Sequence, residues 1–250
     1  MPINYLRELT APERTRRTNV HLGVSLAFVA GATNAGGYLA IGQYTSHMTG
    51  MVSGMADYLA LGEIDLVLAA FEALLAFLLG AATSAILINW ARRRNSRSEY
   101  ALPLMVEAAL LLVFGLMGGR LNSASITDEL SLTIALLCFV MGLQNAMITK
   151  VSNAEIRTTH VTGLMTDIGI ELGKLLYWNN NSQTPSAEKV VVNWRRLRIH
   201  LSLVVSFFVG GVIGALGFKH VGYVSTVPLA VMLAALSSLQ LVPPRTRWAR

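Results

Sequence analysis

The sequence predicts an all-α integral membrane protein, with six transmembrane helices and two short re-entrant half-helices arranged as an inverted-topology repeat (3+3). Three observations lead there. Of the 250 residues, 53% are apolar and only 14% charged, with mean hydropathy +0.52; a soluble domain carries roughly 25% charged residues. The apolar residues fall in runs of bilayer length, with basic residues clustered between them. A polar motif then recurs in the two halves of the chain. The net charge of +6 and pI of about 9.8 therefore read as membrane-orientation signals, and no nucleic-acid partner is expected.

Residues 1–19 read as a polar cytoplasmic tail with Arg7, Arg14, Arg16 and Arg17. The apolar stretch that follows is too long and too glycine-rich for a cleavable signal, so it is read as a retained first helix, 20–42. Crossing the hydrocarbon core takes about 20 apolar residues. The runs 65–90, 101–119, 130–150, 198–218 and 222–242 also qualify. Segments 48–62 and 161–176 are too short to cross comfortably and carry Asp57 in one, Asp167 and Glu171 in the other; they are read as the half-helices. The polar stretch 177–196, with Asn179, Asn180, Asn181 and Pro185, reads as a cytoplasmic connector, and 243–250 as a cytoplasmic tail. Residues 20–242 then form a single transmembrane domain. With six crossings, every Lys and Arg except Arg120 and Lys219 falls on the cytoplasmic side, as the positive-inside rule requires. Eight crossings would export Arg92, Arg93, Arg94 and Arg97. Trp90, Trp178, Trp194 and Trp248 fall at the expected interfaces. Cys138, the sole cysteine, lies in an apolar run, which excludes an intrachain disulfide and a cysteine-based metal site; no cofactor or metal is expected.

The repeat carries the most information. Gly31-Ala32-Thr33-Asn34-Ala35 precedes Thr45-Ser46-His47-Met48-Thr49-Gly50, and Gly142-Leu143-Gln144-Asn145-Ala146 precedes Thr158-Thr159-His160-Val161-Thr162-Gly163. The shared pattern is G-x-x-N-A, a linker, then T-[ST]-H-x-T-G. Farther on, Phe77-x-x-Gly80 recurs as Phe207-x-x-Gly210. Each repeat, about 20–119 and about 130–242, holds one span, one half-helix and two spans. Three crossings is an odd number, so the second copy is expected upside down relative to the first, an architecture shared by many secondary transporters.

These motifs resemble the YoaK family of bacterial inner-membrane proteins, defined by a domain of unknown function numbered 1275. The similarity runs over essentially the whole chain from about residue 20. It rests on the helix end Gly31 to Gly37, on His47-Met48-Thr49-Gly50, on Gly142 to Ala146 and on Thr158 to Gly163. The family pattern commonly has an acidic residue where this chain has Asn34, and Asn where it has Met51. The resemblance implies a six-span fold in the bacterial inner (plasma) membrane and brings no established activity.

In the motif, Thr45, Ser46, Thr158 and Thr159 sit where hydroxyls can cap the half-helix N–H groups that lipid would leave unsatisfied. Gly50 and Gly163 would let each first turn approach another backbone. His47 and His160 occupy equivalent positions, and histidine is the side chain that titrates near neutrality. Two readings stand for them: solute ligands or proton carriers, or rings bonded to backbone to hold the break. Asn34 and Asn145 can serve a solute or an unwound backbone. The candidate substrate-binding set is Asn34, Thr45, His47, Thr49, Gly50, Asn145, Thr158, His160, Thr162 and Gly163. Among ionisable groups in the apolar runs, Glu72 lies early in the second span and Glu107 deeper in the third, so Glu107 joins His47 and His160 as a candidate for proton or ion coupling. Glu171 and Lys174 are spaced to pair with each other. Gly50-x-x-x-Gly54 and Gly210-x-x-x-Gly214 suit close helix packing, within the chain or in a homo-oligomer.

The expectation is a secondary transporter or facilitator of a small polar solute, an anion among the candidates, with its site between the paired breaks near mid-membrane. Half-helix N-termini pointing inward would favour anions, and the reverse would favour cations. A channel or a structural or assembly protein are the alternatives. An intramembrane enzyme is disfavoured, because no H-E-x-x-H, G-x-S-x-G or other catalytic spacing occurs.

Overall fold

The computed structural model describes residues 16–94, 99–118, 126–152, 158–177 and 189–241, and among these every regular element is helical. In chain order they are α1 (Arg16–Ile41), α2 (Met48–Leu61), α3 (Ile64–Arg93), α4 (Ala101–Gly118), α5 (Ile126–Val151), α6 (Val161–Leu176), α7 (Trp194–Val221), a 3₁₀ turn (Gly222–Ser225) and α8 (Thr226–Leu241). The tail arginines Arg7 and Arg14, Arg97, Arg120, Arg157, Trp178, the Asn179 to Pro185 stretch and Trp248 lie outside the described residues.

Four stretches are long and apolar enough to cross a membrane: Asn19–Ile41, Ile64–Arg93, Ser131–Val151 and Trp194–Ser238. The six sequence runs become four for two reasons. Ala101–Leu116 is apolar but shorter, and the break expected between 218 and 222 is still helix. Lys219 and His220 fill the last turn of α7, where positive charge suits the carbonyl end of a helix, and only the 3₁₀ turn separates α7 from α8. The outward faces are apolar: Leu78, Ile86, Phe208 and Ile213 are all more than half exposed. A helix in water turns polar residues outward, so so broad an apolar exterior belongs in lipid. The chain has the character of a helical membrane protein.

Helices from the two halves pair with each other: α1 packs on α7, α3 on α5 and α4 on α8. Four glycines set the first two crossings. A Cβ on Gly31 would land on the Phe207 carbonyl, and one on Gly210 on the Phe28 carbonyl; Gly142 meets the Phe77 carbonyl and Gly80 that of Phe139. The recurring Phe-x-x-Gly thus supplies a backbone oxygen to one helix and receives the partner's one turn later. Gly214 likewise lies against the Ala32 backbone, whereas a Cβ on Gly54 would meet only the Tyr58 ring, at 3.5 Å. The Gly210 motif therefore packs within the chain, and the Gly50-x-x-x-Gly54 motif makes no helix–helix approach.

The main core joins α1, α4, α5, α7 and α8 through Leu22, Leu26, Leu104, Leu111, Met141, Ile148, Leu203 and Leu233. Across it, Gln144 Nε2 donates to the Leu26 carbonyl at 3.3 Å and Ser206 Oγ to the Val24 carbonyl at 2.7 Å. Free Cys138 is buried beside Met51 and Ala73, holding α2 against α3 and α5.

The short helices are α2, 14 residues, and α6, 16 residues. At 1.5 Å per residue they reach about 21–24 Å, less than the roughly 30 Å hydrocarbon core. Gly62, with φ of 79°, ends α2 in the left-handed conformation and gives its N–H to Leu59, so the chain reverses directly into α3. α2 packs on α3 and α6 on α7, each short helix against the long one that follows it.

Candidate functional site

The two copies of the motif fold alike. Thr45 and Thr158 are fully buried, Met51 and Leu164 nearly so, and His47 and His160 are exposed. Each histidine is the residue immediately before its short helix, with φ and ψ of −94° and 65° for His47 and −85° and 56° for His160. Neither side chain caps the helix it precedes, and neither ring bonds a backbone group among the described residues. Each ring instead lies over the first turn, where a Cβ on Gly50 or Gly163 would strike it. The two glycines therefore make room for their own histidine, correcting the expectation that they approach another backbone.

The hydroxyls do not cap the helices either. Ser46 donates to Asn34 Oδ1 from its backbone N–H, at 3.2 Å, and from its hydroxyl, at 3.0 Å. In the second copy Asn145 Oδ1 accepts from the hydroxyls of Thr159, at 2.9 Å, and Thr158, at 3.4 Å. The buried Thr45 hydroxyl has no partner among the described residues. The asparagine oxygen on the preceding long helix takes the linker's donors and so holds the linker to α1 or α5 before the short helix begins. The first backbone bonds of the short helices run from Met51 N–H to the His47 carbonyl and from Leu164 N–H to the His160 carbonyl, each 3.1 Å. The N–H groups of Met48, Thr49 and Gly50, and of Val161, Thr162 and Gly163, are left without an acceptor among the described residues, as the first turn of an uncapped helix leaves them.

Both first turns line one cavity of about 890 Å³. Its wall takes Asn34, Ser46, His47 and Thr49 from the first copy and Asn145, Thr159, His160 and Thr162 from the second, with Phe77 and Phe207 at the helix crossings. The first turns of both short helices thus border the same space. Of the sequence candidates, Thr45, Gly50, Thr158 and Gly163 stand behind this wall, and Glu107 is elsewhere. Glu107 is fully buried in α4, and neither carboxyl oxygen has a partner among the described residues. Glu72 faces outward from α3.

The cavity is not two-fold symmetric. α5 contributes Gly142, Asn145, Ala146, Thr149 and Lys150, a complete helical stripe, while α1 contributes Asn34 alone. Counted from the paired asparagines, Thr149 corresponds to Tyr38, whose ring stacks on Tyr44 at 4.4 Å. Lys150 corresponds to Leu39, and its ammonium donates to Asn89 Oδ1 at 3.0 Å. Thr149 and Lys150 were not candidates from sequence. Their signal was present in the i, i+3, i+4, i+7, i+8 spacing from Gly142, but Lys150 had been assigned to the cytoplasmic charge count.

Behind α6 lies a charged latch. Arg196 Nη2 reaches Asp167 Oδ1 at 3.1 Å, and His200 Nδ1 stands 3.7 Å from Asp167 Oδ2. Glu171 accepts from Lys174 Nζ and from the Asn193 N–H, both at 2.8 Å; these bonds, the Lys174 one first, hold its carboxyl below the usual carboxylate range. Asn193 in turn caps α7 by accepting from the Arg196 N–H at 3.0 Å. The α2 side carries no such latch among the described residues: Asp57 is exposed and unpaired. Among the described residues no cluster of His, Cys, Asp and Glu could hold a metal ion.

The family described as "Protein of unknown function (DUF1275)" matches residues 22–239, all eight helices but the first turn or two of α1 and the end of α8. The chain belongs to the DUF1275 family. The DUF1275 match covers both copies of the motif and the whole cavity wall. No curated protein and no solved structure matches the chain.

Proposed function

We propose that this DUF1275 protein is a secondary transporter or facilitator for a small polar solute, bound in the cavity where the two Thr-His-Thr-Gly breaks meet. The observation that carries the reading is the convergence of both uncapped short-helix N-termini, with their asparagines and histidines, on one cavity. Six spans in two inverted sets of three account for the pairing of α1 with α7 and α3 with α5 through matched Gly and Phe positions, since a pseudo-two-fold axis exchanges these pairs. Broken helices at a repeat interface are the usual place for a carrier's substrate. Glu107, unpartnered inside the bundle, is the candidate for ion coupling. The membrane is the bacterial inner membrane with both termini cytoplasmic, which puts the Lys150 end of α5 inside and the Tyr38–Tyr44 stack outside. That one-sided wall favours a carrier caught open to the cytoplasm over a channel open at both ends.

The test is solute flux into liposomes holding the purified full-length protein. Saturable uptake of at least one small solute, lost in the His47→Ala, His160→Ala double variant, is expected. No uptake of any solute across a panel of anions, cations, sugars and amino acids, by a protein that melts cooperatively, would refute transport.

A further inference from the structure

We infer that the solute is a small organic anion carrying a carboxylate. This deepens the transport reading and rests on the same cavity. Its wall contains no Asp or Glu, and its ionisable groups are Lys150, His47, His160 and Tyr44. Lys150 bonds only the neutral Asn89, and no described carboxylate lies within ion-pair distance of it. Its positive charge on the wall therefore favours an anionic solute.

The backbone supplies donors of the same preference. Neither short helix has an acidic residue in its first turn, and no side chain caps either one. Helix N-termini carry about half a positive charge.

Asn34 points independently to a ligand. It is only 9% exposed, and its Oδ1 accepts the Ser46 backbone N–H, a group that can only donate. The amide orientation is thereby fixed, leaving the Nδ2 hydrogens, on a residue of the cavity wall, without an acceptor among the described residues. Asn145 differs, because its Nδ2 donates to the Met141 carbonyl at 2.8 Å. Both asparagine oxygens are already occupied by linker donors, so the asparagines offer a solute no acceptor of their own. Phe77, Phe207 and Met48 give the rest of the wall an apolar character, which suits an anion with an organic body.

The experiment measures the melting temperature of the full-length protein in zwitterionic detergent against acetate, benzoate and succinate, with chloride, choline and glucose as controls, and separately against phosphatidylglycerol. At least one carboxylate is expected to stabilise saturably while the controls do not. Asn34→Asp keeps both bonds from Ser46 but adds a negative charge to the wall, and should abolish the shift. Lys150→Gln keeps a donor for Asn89 and should weaken binding about tenfold. Asp57→Asn, on the exposed face of α2, should change nothing. No carboxylate shift in a cooperatively melting protein, a shift that survives Asn34→Asp, or stabilisation by phosphatidylglycerol alone would overturn the inference. Carboxylate binding without liposome flux would sink the transport reading and leave the anion site standing; flux of a neutral or cationic solute would do the reverse.

Discussion

Asn34 and Asn145 occupy matching positions; their oxygens gather the linker that sets up each break, and both residues line the cavity. The glycines divide just as clearly. Gly142→Ala would drive a methyl into the Phe77 carbonyl and is expected to destabilise by about 1–3 kcal/mol, the usual cost of overpacking. Gly169→Ala on α6, with open space around it, should be neutral or stabilise by up to about 1 kcal/mol. Chemical unfolding in detergent distinguishes the two. Gly50→Ala and Gly163→Ala displace an exposed histidine ring and nothing else, so they are expected to reduce solute binding while leaving the melting temperature nearly unchanged. Equal losses of stability at Gly50 and Gly142 would show that the ring contact is ordinary packing.

The two short helices look alike in sequence but are held differently. α6 is tied to α7 by the Asp167–Arg196 pair and by Glu171, whereas α2 rests on α3 through Met51, Ala73 and neighbouring apolar groups. Glu171→Gln should therefore raise backbone hydrogen exchange across α6 and the start of α7 and leave α2 protected; unchanged exchange in α6 would mean the latch carries no load. Asp167 and Glu171 had been read as ordinary half-helix charges because their partners, Asn193 and Arg196, stand more than twenty residues away along the chain, beyond the reach of helical spacing. The stripe on α5 implies access from one end. Thr149→Cys is expected to react with a charged thiol reagent from the cytoplasmic side, and Tyr38→Cys only from the outside.

Membrane character, helix order and the paired breaks were legible because they rest on composition, run length and a repeated motif, all local in sequence. The caps were misread for a physical reason: the hydroxyls of Ser46 and Thr159 donate to asparagines twelve and fourteen residues back along the chain, a contact that local spacing does not show. The number of crossings was harder to see, because the last two runs fuse through a turn of four residues and α4 is short. In the whole molecule the central claim is that the two halves lie in opposite senses, so that equivalent short helices enter one cavity from opposite faces of the membrane. Leu61, at the end of α2, and Val191, ahead of α7, occupy corresponding connections and are each more than 70% exposed. The direct measurement is labelling of Leu61→Cys and Val191→Cys in intact cells with a membrane-impermeant thiol reagent. Leu61→Cys should react from outside and Val191→Cys only after the cells are opened; labelling of both positions from the same side would contradict the inverted arrangement and the shared cavity with it.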